Sequence, residues 1–375
     1  MSPLADLPSS DVPWLVMGLM SGTSADGLDA VLVAVEPRGY KGGRPFLELL
    51  EHFHSPYPVD LRHAVLRAAG NQSSPGELCI LQRRLGEHHA RTARELADRS
   101  GKTPHMASLH GQTVQHRPEA GATLQLADPY LLVEALGCPV VWDLRRRDMA
   151  LGGQGAPLVP LTELWLRGQA EPWIALNLGG IANATVWDGV EVRAWDLGPG
   201  MSLLDLAAQR WMGLPYDPEG GRATGRVHGE MLERWLANPY FHLPLPKSTG
   251  REVFGAEWLE GRISCLEALP VADRLVTLAA FSAEAVALGL RGLCPEGTPL
   301  MLSGGGAQHR RLRQELQERL PGLRLEDDAD FPPGAREAVS WALLGAASAL
   351  GVPGNLPEVT GASRPAVLGS WAFPG

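Results

Sequence analysis

Apolar positions along the 375-residue chain follow two alternating periods. Trp14–Met17 and Ala30–Val35 are short runs of β-formers on either side of a Gly/Ser/Thr/Asp-rich turn, the pattern of a hairpin. A loop over Glu36–Arg44 follows, and Phe46–His54 alternates partly like a strand. The period then lengthens to that of helices over Val59–Ala69 and over Glu77–Arg99, where Leu78, Leu81, Leu85 and Leu96 recur on one face. Pro104–His110 reads as a short strand ending in Gly111-Gln-Thr113, Asp128–Leu136 as a helix and Pro139–Asp143 as a strand. Strands alternating with helices predict an α/β domain.

The second half repeats this grammar. Trp173–Trp187 is again an apolar run, a glycine-rich turn and a strand, and Asp188-Gly189 signals a further two-residue turn before Val190–Trp195. Helices are predicted over Met201–Trp211, Arg226–Leu236, Val271–Leu293, Gln308–Leu320 and Glu337–Leu350, with a strand over Pro299–Ser303 and an irregular tail from Val352. The Gly/Pro-dense stretch Leu151–Pro160 sets the expected boundary between domains 1–150 and 151–375, with the C-terminal tail able to pack back on the first. Two glycine-rich hairpins, each opening one half, predict a duplicated domain with a phosphate loop in each copy.

Composition narrows the class. With 45% hydrophobic and 20% charged residues the chain is expected to be a soluble globular protein. Its net charge of −9 argues against a general nucleic-acid surface, and its one concentrated basic run is Arg145-Arg-Arg147. Cys79, Cys138, Cys265 and Cys294 are scattered without a Cys-x-x-Cys pair, as expected of thiols in a reducing compartment. The N-terminus lacks signal-peptide character, and no run of 18 apolar residues occurs, so no membrane segment and a cytoplasmic location are expected.

The turns carry the candidate chemistry. Gly22 and Gly27, interleaved with Ser21, Thr23 and Ser24, would let backbone and hydroxyl donors approach phosphate oxygens, although an ordinary hairpin turn has the same composition. Neither hairpin is a P-loop or a dinucleotide fingerprint. Ser303-Gly-Gly-Gly-Ala-Gln308 joins a strand to a helix and could seat an adenosine or phosphate group on the helix N-terminus. Asp196, at a strand end before Gly198-Pro-Gly200, is a candidate general base, or an Asx turn; Asp148 is its alternative, or an orienting partner for Arg145 or Arg147. Asp26 and Asp29 could hold Mg2+ through water, or cap turns. His110, His116 and the cluster Lys247-Ser-Thr-Gly-Arg-Glu252 could contact a polar or anionic ligand, and Glu337 could equally cap a helix.

Nine of these segments, in order along nearly the whole chain, resemble the anhydro-N-acetylmuramic acid kinases of the sugar kinase/Hsp70/actin superfamily. They are Gly18-Leu-Met-Ser-Gly-Thr-Ser-Ala-Asp-Gly-Leu-Asp29, His110-Gly-Gln-Thr113, Gln125-Leu-Ala-Asp-Pro129, Asp143-Leu-Arg-Arg-Arg-Asp148, Gly152-Gly-Gln-Gly-Ala-Pro-Leu-Val-Pro160, Asn177-Leu-Gly-Gly-Ile-Ala-Asn183, Asp196-Leu-Gly-Pro-Gly200, Lys247-Ser-Thr-Gly-Arg-Glu252 and Ser303-Gly-Gly-Gly-Ala307. The resemblance implies two RNase H-like lobes, a duplicated actin/hexokinase-type α/β domain, around a central ATP cleft. It implies an ATP- and Mg2+-dependent enzyme that opens the anhydro bridge of 1,6-anhydro-N-acetylmuramic acid with water and phosphorylates O6 in cell-wall recycling, and that works as a cytoplasmic homodimer.

By the same resemblance Asp196 is the catalytic base, and Arg145, Arg147, Asp148, Glu337 and His110 face the sugar. Nucleotide contacts fall on Gly22, Thr23, Ser24, Ala25, Asp26, Gly27, Leu28 and Asp29, on Asn177, Gly179, Gly180 and Asn183, and on Gly304, Gly305 and Gly306. The metal ligands stay unassigned. The chain departs from the family at Met201, where Asn is usual, and at Ala25, where Leu is frequent. Two other classes fit the same loops: a kinase of an ordinary hexose or polyol, and a nucleotide-binding protein without catalysis.

Overall fold

A computed structural model describes residues 7–42, 44–245, 247–332 and 334–375. In chain order the elements are β1 (Trp14–Ser21), β2 (Gly27–Val35), β3 (Leu47–Pro56), α1 (Val59–Ala69), α2 (Pro75–Ser100), β4 (Met106–Arg117), β5 (Ala122–Leu126), α3 (Pro129–Leu136), β6 (Val140–Trp142), α4 (Arg146–Met149) and α5 (Val159–Arg167). There follow β7 (Trp173–Leu178), β8 (Ile181–Trp187), β9 (Val192–Pro199), α6 (Ser202–Met212), α7 (Gly229–Leu236), α8 (Ala256–Glu260), α9 (Ile263–Glu267), α10 (Val271–Leu290), β10 (Pro299–Ser303), α11 (Arg310–Arg319) and β11 (Arg324–Asp327). The last three are α12 (Ala335–Ala349), α13 (Pro357–Thr360) and β12 (Ser370–Ala372).

These elements form two compact units, one of Met1–Gly168 with Gly334–Gly375 and one of Gln169–Pro333. The sheet of the first unit runs β12-β6-β4-β1-β2-β3, with β5 paired to β4. Strands β1, β2 and β3 are antiparallel neighbours, while β4 and β6 continue from β1 in parallel. The sheet of the second unit runs β11-β10-β7-β8-β9, with the same senses: β7, β8 and β9 antiparallel, β10 and β11 parallel to β7. Numbered from its own first strand, each core has the order 3-2-1-4-5, the RNase H-like wiring, so the duplication expected from the two hairpins is present in the topology.

In the first unit α12 lies close on the sheet because its seat is glycine: a Cβ at Gly18 would fall 2.0 Å from the Ala338 carbonyl oxygen. On α12, Gly345 packs in the same way on Ser108 of β4, where a Cβ would meet the Ser108 Cβ at 2.6 Å. Helix α2 is closed at its start by a capping box between Ser74 and Glu77 and lines the core through Leu81, Leu85 and Leu96. The second unit fills its core with Phe254, Phe281, Trp235 and Trp258, the Trp258 and Phe281 rings stacked at 5.2 Å.

Three local expectations change. The Gly/Pro stretch 151–160 lies inside the first unit and is not a boundary: its turn runs into α5 at Val159, and Thr162 on α5 donates to Ser340 on α12 at 2.8 Å. Strand β4 does not stop at Gly111 but passes through it at φ +77, where a Cβ would sit 2.9 Å from the Leu126 oxygen. The tail is not wholly irregular, since α13 forms and β12 adds antiparallel to β6.

Candidate active site

In both units the candidate residues cluster where parallel strands end, the edge at which open α/β sheets bind ligands. In the first unit the Ser21 hydroxyl donates to the Gly111 oxygen at 2.8 Å, and Gln112 Nε2 donates to the Gly22 oxygen at 3.0 Å, fixing the root of the glycine turn. The turn then divides. Gly27 is committed to the fold, because a Cβ would lie 2.5 Å from the Ser55 oxygen; Ala25 (φ +52) and Leu28 are buried in the core. Asp29 accepts from His52 Nε2 and His54 Nδ1, both at 3.1 Å. Thr23, Ser24 and Asp26 are exposed, the Ser24 hydroxyl donating to Asp26 at 2.8 Å, and a Cβ at Gly22 would meet nothing nearer than Ser24 Oγ at 3.6 Å. The open part of the turn is therefore Gly22, Thr23, Ser24 and Asp26.

Beside it lies Arg145, just beyond β6. Its Nη1 donates to the Gly155 oxygen at 2.9 Å, and its Cζ is 5.1 Å from the Trp341 ring. Burial pulls the guanidinium down to about 10, with Glu337 opposing, so it stays charged at neutral pH. Glu337 and Trp341 stand one turn apart on α12, which starts at Gly334 in the left-handed conformation. Crowding by protein pushes the Glu337 carboxyl up; Arg145 opposes this, and Asp29 and Asp26 add to it. Arg147 is exposed on α4.

Two expected sugar contacts take other places. Asp148 is wholly buried and accepts from the Gly155 amide at 2.8 Å, Asn355 Nδ2 at 2.6 Å and Thr360 Oγ1 at 2.7 Å. It ties the 150s turn to the C-terminal segment and has no side open to a ligand. His110 is only 5% exposed, and both its ring nitrogens have partners inside the unit.

In the second unit the register aligns a polar row across four strands. Ser303 on β10 pairs with Asn177 on β7, Asn177 with Asn183 on β8, and Asn183 with Asp196 on β9. Asn177, Asn183 and Asp196 lie on consecutive strands, but Ser303 joins them from β10, and the register that aligns all four is set by the sheet and not by any local pattern. Asp196 ends the row. Its Oδ2 accepts from the Thr249 amide at 2.9 Å, and the Tyr240 hydroxyl donates to its carbonyl oxygen at 2.6 Å. Burial lifts the Asp196 carboxyl to about 6; the Thr249 amide opposes this and the Glu252 carboxylate adds to it. Lys247 is turned away, donating to the Tyr240 and Phe241 oxygens at 3.2 and 3.3 Å, so its charge holds the loop.

The glycines here also sort by what surrounds them. Gly304, at φ +79, would place a Cβ 2.4 Å from Asn177 Oδ1, and Gly306 one 2.8 Å from Leu178 Cβ, whereas Gly305 has nothing within 4 Å. A ligand has room at Gly305. The turn does not open directly onto a helix end: a 3-10 turn intervenes, and the N-terminus of α11 is capped by His309, whose Nδ1 accepts from the Leu312 amide at 3.1 Å. Arg251, not singled out by itself in the sequence, is exposed beside Gly180, its Nη2 3.0 Å from where a Cβ would be. Met201 is 9% exposed and in the core, its amide donating to the Gly179 oxygen at 2.7 Å. The departure from the usual Asn thus fills space under the second turn.

The family model for anhydro-N-acetylmuramic acid kinase matches residues 14–374. A protein of that name from Parasynechococcus marenigrum is 43% identical over 382 aligned positions, covering 95% of this chain and 98% of the relative. One from Prochlorococcus marinus is 42% identical, covering 96% and 99%. One from Streptomyces avermitilis is 42% identical, covering 95% and 93%.

Proposed function

The chain belongs to the anhydro-N-acetylmuramic acid kinase family, and from that membership we propose how its own residues carry the reaction. It is a kinase of 1,6-anhydro-N-acetylmuramic acid, consistent with a role in cell-wall recycling. The observation that carries the assignment of roles is Asp196, a carboxylate raised to about 6 at the end of the polar row. A base with a pKa just below neutrality is ionised at working pH and still accepts a proton readily.

Asp196 takes a proton from water as the water oxygen bonds to C1 of the sugar. The C1–O6 bond breaks, and its electron pair leaves with O6. O6 then bonds to the γ-phosphorus of ATP as the bond to the β-phosphate oxygen breaks, giving N-acetylmuramic acid 6-phosphate and ADP. Arg145, Arg147 and Glu337 are the sugar contacts in this reading. The backbone at Gly22 and Gly305, where nothing fills the space a Cβ would take, and the hydroxyls of Thr23 and Ser24 receive phosphate oxygens. Asp26, exposed with a single hydroxyl donor, fits Mg2+ held through water, which supplies charge neutralisation at the phosphates. Among the described residues no helix is long and apolar enough to cross a membrane. A cytoplasmic homodimer is the assembly we propose, with the four free cysteines in keeping with a reducing compartment.

The test is mass spectrometry of the product formed from Mg-ATP and 1,6-anhydro-N-acetylmuramic acid. A gain of one phosphoryl group and one water is expected. A gain of phosphate alone, or turnover of ordinary hexoses with none of the anhydro sugar, would replace the ring-opening reading by simple sugar phosphorylation.

A further inference from the structure

The contacts of His110 give it a role other than touching ligand. Its Nδ1 lies 3.1 Å from the Ser21 carbonyl oxygen, and its Nε2 lies 3.2 Å from Nε and 2.9 Å from Nη2 of Arg145. A carbonyl can only accept and a guanidinium can only donate. One arrangement of the ring satisfies both neighbours: a proton on Nδ1, donated to Ser21, and a lone pair on Nε2, accepting from Arg145. The tautomer follows from the network, since the ring nitrogens are distinguished by their partners. The imidazole also stands edge-on to Trp341, ring centres 4.6 Å apart.

We propose that His110 is a positioning residue for Arg145: a neutral, Nδ1-protonated imidazole that fixes the guanidinium from behind. His110 takes two of the five guanidinium N–H groups and Gly155 a third, while the Trp341 ring flanks the plane. Two N–H groups remain without a partner among the described residues, aimed by a fork that can no longer rotate. A ligand with paired oxygen acceptors, a carboxylate or adjacent sugar oxygens, suits that fork. Because Ser21 also holds Gly111 through its side chain, the same imidazole joins the root of the glycine turn to the sugar-facing arginine. The inference rests on the reading of Arg145 as a sugar contact. Burial and the adjacent guanidinium both keep the ring neutral, in agreement with the geometry.

Three variants separate positioning from packing. In His110→Gln the amide oxygen reaches the Nε2 position and still accepts from Arg145. In His110→Asn the amide nitrogen reaches the Nδ1 position and still donates to Ser21. His110→Phe keeps the ring against Trp341 and loses both bonds. In steady-state kinetics with Mg-ATP and the anhydro sugar, the Phe and Asn variants are expected to raise KM for the sugar at least about tenfold, with kcat and KM for ATP changed less than about threefold; the Gln variant should stay within about threefold of wild type. Equal KM in all four proteins, or a Gln variant as impaired as Phe, would overturn the proposal. Nitrogen-15 NMR of the wild-type histidines gives a readout that needs no turnover: a neutral ring protonated at Nδ1 throughout pH 5–8 is expected, and an Nε2-protonated or titrating His110 would overturn it. Absent turnover of the anhydro sugar by wild type with the NMR result intact would count against the proposed reaction and leave the tautomer standing.

Discussion

Asp196 shows how the sequence and the fold divide the information about a single residue. A strand-end aspartate before Gly198-Pro-Gly200 is visible in the sequence, but an Asx turn looks the same there. In the fold its carboxylate accepts from the Thr249 amide, 53 positions along the chain, where an Asx turn would use a neighbouring amide, and burial with the Glu252 carboxylate lifts the group to about 6 against the pull of that amide. The sign of the consequence is fixed. A carboxyl raised in the folded state costs stability above its folded value, and that cost disappears below its ordinary value near 4. Asp196→Asn keeps an oxygen to accept from Thr249 and removes the buried charge. It should therefore raise stability at pH 7 by roughly 1–3 kcal/mol, and not at pH 4, while lowering kcat by about 10²–10⁴. Chemical denaturation at the two pH values and single-turnover kinetics check both halves; a variant less stable at pH 7 with near-normal turnover would remove Asp196 from the role of base. In contrast, Asp148 sits in an equally suggestive motif, and its burial with three donors was not legible, because Asn355 and Thr360 lie more than 200 positions along the chain.

At the scale of elements, glycine was legible as a marker of turns but not as a marker of ligand approach. Within one hairpin, Gly27 is glycine because Ser55 leaves no space for a Cβ, and Gly22 is glycine where space is open. The difference lies in what β3 and the rest of the fold bring alongside, which no local pattern records. Gly27→Ala should therefore destabilise the first unit by about 1–3 kcal/mol, read as a fall in the denaturation midpoint. Gly22→Ala and Gly305→Ala have no positive φ and no close neighbour to offend, so they should leave stability within about 0.5 kcal/mol of wild type. Their cost should appear in KM for ATP, since the added methyl stands where phosphate would approach. Unchanged KM for ATP in both would withdraw these two glycines from the nucleotide site. Strand β4 makes the related point: Gly111 reads as a stop in the sequence, yet its positive φ lets the strand run on to meet β5.

For the whole molecule, the repeated hairpin grammar carried the duplication, and the strand order 3-2-1-4-5 in each unit realises it. The assignment of chain to units was less legible. The Gly/Pro density at 151–160 comes from wrapping Asp148, while α12, which reads like any apolar helix, packs on β1 and β4 some 230–320 residues before it. The buried ionisable groups of both units set a pH dependence for the fold. Burial holds His88, His89, His110 and His309 below the ordinary histidine value, His89 at about 3. Below pH 6.5 the unfolded chain binds protons that these rings refuse, so their contribution to stability, complete above 6.5, is lost as pH falls. Asp196 and Asp205, both raised to about 6, and Glu337, also raised, act in the opposite sense between about pH 4 and 6, where the folded chain keeps protons that the unfolded chain has released. Between pH 6.5 and 6 the histidines act almost alone, and below that they still outnumber the carboxyls. Thermal melting should therefore show a plateau near pH 7 and a falling midpoint toward pH 5, with His89 alone accounting for about 2 kcal/mol by pH 5. His89→Gln should flatten the slope. A midpoint that rises as pH is lowered from 7 to 5 would mean that the three carboxyls outweigh the histidines and that the imidazoles are less isolated from water than their burial implies.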